Sequence, residues 1–173
     1  KKFFTLLLRR NGYVLEQLCS PLVVRTSPAH QAVRDLVPGL VTRHHGHHYL
    51  GFARTQWGLF TKQSPPRVKP LLYVYRVLLT GLRLARTGEV EANLERLNDE
   101  ARLPQVPDLM ARKRAGPERG ALEQADVAFH EAEVRRLTAA LEEAMQTSPL
   151  PEAPRPEARA ALNEVLVQLR LGA

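Results

Sequence analysis

The stretch from Val68 to Arg86 constrains the fold more than any other part of the chain. Val68, Leu71, Leu72, Tyr75, Leu78, Leu79, Leu82 and Ala85 recur at three- and four-residue spacing. On a helix of about 3.6 residues per turn that spacing gathers them on one broad apolar face. Helices elsewhere must supply its cover. Aromatic residues are only 6% of the chain, so the interior is mainly Leu, Val and Ala, which suits helices packed on helices.

The rest of the sequence supplies them. Lys2 to Arg10 reads as a helix closed by Asn11-Gly12, and Tyr13 to Cys19 as a second, with Leu22-Val23-Val24 a short apolar stretch after it. Ser27-Pro28 gives an N-cap followed by proline at the first helical position, and the helix is expected to run through Val33, Leu36 and Val37 toward Pro38-Gly39. His47 to about Thr61 follows, with Leu50, Ala53, Trp57 and Phe60 on one side. After the central helix, which Gly88 ends, come Glu91–Ala101 and Pro107–Arg114, the latter stopped at Gly116-Pro117. Leu122–Met145 is a long amphipathic helix with a stripe of Leu122, Ala125, Phe129, Ala132, Leu137, Leu141 and Ala144. A Pro-rich connector leads to a last helix marked by Ala158, Leu162, Val165 and Leu169. The fold class is all-α, an irregular multi-helix bundle. Residues 1–146 form a helical domain, and 147–173 a connector and C-terminal helix.

With 173 residues, 44% of them apolar, the chain can bury one ordinary core. Its net charge of +7 favours polyanions such as nucleotide or nucleic-acid phosphate. A single cysteine, Cys19, excludes a disulfide scaffold and points to a reducing, cytoplasmic setting. No apolar run approaches the roughly 20 residues of a membrane span. At the other extreme, the helix beginning at Lys2 has no Ser, Thr, Asp or Asn cap, and the expectation is that further residues precede Lys1 in the parent protein.

On the polar side of the central helix, Lys69, Tyr73, Arg76, Thr80 and Arg83 are spaced by fours and threes and form a narrow strip. Three cations and a phenol in such a strip can hold successive phosphates, Arg bidentately and Lys as a point charge. A solvated helix face would use the same spacing. Arg112-Lys113-Arg114 lies in the last turn of its helix, where capping of the dipole explains cations as well as a phosphate site does. The run His44-His45-Gly46-His47-His48 invites a metal, but adjacent imidazoles diverge and no HExxH or Cys partner accompanies them. No metal site is assigned. His48 and Tyr49, at a helix start, are retained as substrate contacts. Cys19 and Trp57 read as packed core residues.

Taken together, several blocks resemble the predicted nucleotidyltransferase family of the DNA polymerase β superfamily. Asn11 to Val24, containing Leu15-Glu16-Gln17-Leu18-Cys19-Ser20-Pro21, is similar to that family's N-x-x-x-L-E-x-L-x-S-P stretch. His48-Tyr49-Leu50-Gly51-Phe52-Ala53 resembles its H-Y-x-G-x-A element. Lys69 to Leu79 looks like its K-x-x-x-Y-x-x-R-x-L-L helix, and Gly88–Leu94 and Leu109–Glu118 are similar to later blocks. The resemblance runs in family order from Lys2 to Glu118.

The resemblance implies an enzyme that transfers a nucleoside monophosphate from an NTP to an acceptor hydroxyl, RNA among the candidates. It also implies a separate N-terminal catalytic domain with a Gly-Ser motif and paired aspartates holding Mg2+. Neither Gly-Ser nor Asp-x-Asp occurs here. Mg2+ and NTP are therefore expected of the full-length parent and no cofactor of this segment alone, which is expected to be inactive by itself. Lys69, Tyr73, Arg76 and Arg83, with His48, Tyr49, Arg112 and Lys113, are its expected phosphate and substrate contacts. The competing readings are a non-catalytic nucleic-acid-binding module and a helical protein-interaction domain.

Overall fold

The computed structural model describes residues 1–116, 122 and 124–172, the side chains of 124–126 excepted. The stop at Pro117, the match to Glu118 and the stripe position Ala125 lie outside the described residues. The elements in chain order are α1 (Lys2–Leu8), α2 (Gly12–Cys19), α3 (Pro28–Asp35), α4 (Val37–Leu40), a 3-10 turn (Arg43–His45), α5 (Gly46–Thr61), α6 (Val68–Thr87), α7 (Leu94–Ala101), α8 (Gln105–Ala115), α9 (Gln124–Gln146) and α10 (Pro156–Leu171). No β-strand occurs among the described residues. The chain is all-α.

Helix α6 is the axis. It packs against α5, α7, α8, α9 and the 3-10 turn, and Leu71, Val74, Tyr75, Val77, Leu78, Leu84 and Ala85 are wholly buried. A close three-helix crossing lies at Gly81. A Cβ there would lie 2.8 Å from Leu141 Cδ2 on α9 and 2.9 Å from Tyr49 Cβ on α5. Only a hydrogen at that position lets three helices meet. Gly88, at φ 77°, ends α6 in the left-handed region that glycine tolerates best.

A buried polar chain ties α6 to α8 and α9. The Tyr75 hydroxyl and His130 Nδ1 are 2.8 Å apart. Gln105 Nε2 donates to the Glu133 carboxylate at 3.2 Å and more weakly to the Tyr75 oxygen at 3.5 Å. Burial pushes the Tyr75 pKa up to about 12, so this phenol stays protonated at neutral pH. Helix α10 packs on α1, α3 and α4, and the connector before it is anchored where Ser148 Oγ donates to Ala85 O.

Several sequence expectations change. Asn11 does not merely close α1; its side chain accepts from Val14 N and caps α2. The third helix stops at Asp35, and Pro38 falls inside a separate turn of helix, α4. The lost proline N–H favours a fresh helix start there. On α9, Phe129 is half exposed and Ala132 exposed. The buried stripe is instead His130, Val134, Leu137, Leu141 and Ala144, because Tyr75 offers His130 a partner that an apolar count cannot foresee. Leu50 and Trp57 are only half-buried, while Ala53 and Phe60 are the buried members of that helix face. Thr80, expected on the polar strip of α6, is fully buried.

Candidate functional site

The first turns of α6 are covered on their apolar side only. Lys69, Leu72, Tyr73 and Arg76 line a groove closed by Ala92 and Leu94 ahead of and in α7, and by Lys113 on α8, with a volume of about 360 Å³. The Tyr75–Gln105–Glu133 chain fixes α8 against α6 and so sets how near Lys113 comes to the strip. Among the described lining residues three are cationic and none is a carboxylate.

Arg76 is held in place. Its guanidinium NH1 donates to Glu16 Oε2 at 2.7 Å, with both side chains about five-sixths buried (17% and 15% exposed). Its Cζ lies 5.4 Å from the Tyr73 ring centroid, within cation–π range. One carboxylate and one ring thus fix a group with several remaining N–H donors. Glu16 reaches it because α2 lies against α5 at Gly12, where a Cβ would come 2.6 Å from His48 Cδ2 and 2.9 Å from Tyr49 Cζ.

An aromatic run borders this pair. The Tyr13 ring lies 4.9 Å from His48 and 5.1 Å from Phe52, both edge-on, and Phe52 lies 6.4 Å from Tyr73. Tyr13 and Tyr73 are 44% and 39% exposed. Burial holds the Tyr13 phenol above its usual range, with Arg76 acting against it and Glu16 and Tyr73 adding to it; the four groups share one neighbourhood. His48 is half-buried, and its pKa is lowered by burial against the opposing pull of Glu16. Its ring is therefore neutral at pH 7.

The structure brings Lys69, Tyr73, Arg76 and Lys113 together, with His48 at the aromatic edge. It does not bring the other expected residues there. Tyr49 is fully buried in the core; burial, then the Glu16 carboxylate, push its phenol pKa up. Arg83, two turns further along α6, does not line the groove and pairs with Glu89 and Glu100. Arg112 is exposed on α8 and does not line the groove. Sequence reasoning missed Glu16, Tyr13 and Phe52. The available signal was a carboxylate lodged between Leu15 and Leu18, which are both buried.

The histidine run separates into three environments. His45 is buried and its Nδ1 lies 3.1 Å from both the backbone N and the hydroxyl of Thr42. His48 joins the aromatic run. His44 and His47 stack, centroids 5.8 Å apart, in a second groove of about 540 Å³. There Arg43 and Arg54 are balanced by Glu142 and Glu152. Among the described residues no three His, Cys, Asp or Glu side chains gather as a metal site. The described residues thus offer no cluster for a divalent cation, and no catalytic step is assigned to one here. No described helix is long and apolar enough to cross a membrane.

The arrangement can bind phosphate, and among the described residues that line the groove none is a nucleophile paired with a base. The family model described as RlaP, RNA repair pathway DNA polymerase beta family, matches residues 1–168. An uncharacterized protein of Methanocaldococcus jannaschii is 29% identical over 92 residues, which cover 53% of this chain and 38% of that protein. The chain therefore spans well under two thirds of the length of that relative. No solved structure matches. From the match over nearly its whole length, this chain belongs to the RNA repair pathway DNA polymerase beta family.

Proposed function

We propose that this chain is the helical substrate-binding part of a nucleotidyltransferase that moves a nucleoside monophosphate from an NTP to an acceptor hydroxyl on RNA. The observation that carries it is the convergence of Lys69, Arg76 and Lys113, with Tyr73, on one groove. Cations from two helices converging on a cleft suit a ligand with several closely spaced negative charges. Arg76, oriented by Glu16, donates to phosphate oxygens; Lys69 and Lys113 add point charge. In this reading the metal-holding carboxylates belong to a partner fold, since no such cluster occurs among the described residues. Membership of the RNA repair pathway DNA polymerase beta family supports the class of reaction.

Titration of the protein with an NTP tests the reading. Lys69→Ala and Arg76→Ala should each weaken binding about tenfold or more, the scale of a charge-assisted contact, with unchanged circular dichroism. Equal affinity in both variants would reject the groove as the nucleotide site.

A further inference from the structure

We propose that Tyr13, Phe52 and Tyr73 form a stacking platform for the bases of a single-stranded nucleic acid whose phosphates lie along Lys69, Arg76 and Lys113. The inference rests on the phosphate reading of the groove and adds to it the rings that would hold unpaired bases of the acceptor.

Four observations carry it. First, the rings are continuous: Tyr13 to Phe52 is 5.1 Å and Phe52 to Tyr73 is 6.4 Å, with His48 behind Tyr13 at 4.9 Å. Second, the outer members are not core residues. Tyr13 and Tyr73 are 44% and 39% exposed, whereas the structural tyrosines Tyr49 and Tyr75 are fully buried. Third, the rings are braced rather than loose. Tyr13 sits one residue into α2, whose start is fixed by the Asn11 cap, and Tyr73 is held by the Arg76 guanidinium. Fourth, the exposed rings adjoin cations. Tyr73 and Arg76 both line the groove with Lys69 and Lys113.

A strip of cations beside exposed rings is the combination that binds single strands. The cations follow the backbone, and each base offers a flat face to an aromatic ring regardless of sequence. A free phosphate polymer would use the cations and ignore the rings. A protein acceptor would give no reason for unpaired bases to order here. The T-shaped contacts within the run direct ring edges at neighbours, a geometry in which a half-exposed ring retains surface for a base.

The test compares a single-stranded oligouridylate of about 16 nucleotides, the upper end of ordinary single-strand site sizes, with inorganic polyphosphate. Both are titrated into the whole chain, and a 2-aminopurine in the oligonucleotide reports stacking through quenching. Tyr13→Leu keeps the apolar bulk and removes the ring. It should weaken oligonucleotide binding about fivefold to a hundredfold, the worth of one stacked base, abolish quenching, and leave polyphosphate binding unchanged. Tyr13→Phe should restore both signals. Oligonucleotide affinity and quenching equal to the parent in Tyr13→Leu would overturn the platform, as would a parent protein that binds polyphosphate but not the oligonucleotide. Failure of the phosphate reading looks different: Lys69→Ala and Arg76→Ala would then leave polyphosphate binding intact.

Discussion

The two halves of α6 carry similar sequence and meet different fates. Arg76 and Arg83 are seven residues apart, two turns along one helix, and share a helical direction. Arg76 lies in the groove with Lys69 and Lys113 and is oriented by one partly buried carboxylate. Arg83 is neutralised by Glu89 and Glu100. Between them Thr80 is buried and Gly81 touches two other helices. The same periodic strip lines a groove, the proposed phosphate site, where one side stays open, and is a packing surface where neighbours close it. Periodicity says which residues share a direction; the company they keep decides what that direction is for.

The sharpest way to separate the halves is to damage the closed one. Leu78 is completely buried, and Leu78→Ala should cost about 2–5 kcal/mol, the lost transfer energy plus an unfilled cavity. Chemical denaturation would read the loss, while NTP affinity measured well below the denaturation midpoint should be unchanged. A large loss of affinity with intact folding would show that the halves are coupled.

Acid probes the 3-10 turn that packs on α6. Burial lowers the His45 pKa from 6.5 to about 4. Between those values the unfolded chain takes up a proton that the folded chain refuses. Stability should therefore fall as pH drops from about 6.5 toward about 4, by on the order of 3 kcal/mol. His44 and His48 are lowered too and act with the same sign. Denaturation midpoints across that window check this. His45→Gln should flatten most of the slope, and an unchanged slope would remove His45 as its source.

The smallest effect belongs to Arg83→Ala. Its partners are largely exposed (64% and 63%), and surface pairs contribute about 0–1 kcal/mol. Stability should barely move, and nucleotide affinity should match the parent, in contrast to Arg76→Ala. A matching affinity loss in Arg83→Ala would erase the distinction between the two arginines.

Local chemistry was legible and long-range partners were not. Ser27-Pro28 announced a helix start, and Ser27 does accept from His30 N. The apolar face of α6 and the strip of Lys69, Tyr73 and Arg76 could be read from spacing alone. Thr80 could not, because its burial depends on which helices flank α6. Helical spacing puts Phe129 inside and passes over His130, because a histidine becomes core only when a residue such as Tyr75, 55 positions away, offers it a hydrogen bond. Glu16 is the clearest case. Its role exists only after α2 has been laid across α5 at Gly12 and brought to Arg76.

The hydrogen at residue 81 has a reach beyond its own contacts. Helix α5 carries His48 and Phe52 into the aromatic run that reaches Tyr73 at one cleft, and His47 and Arg54 into the lining of another, and it comes close to the axis where Tyr49 meets that bare backbone. A single methyl there would shove α5 outward and alter the width of both clefts together. The gauge of two surfaces is thus kept by one missing carbon, and neither can drift while it stays missing.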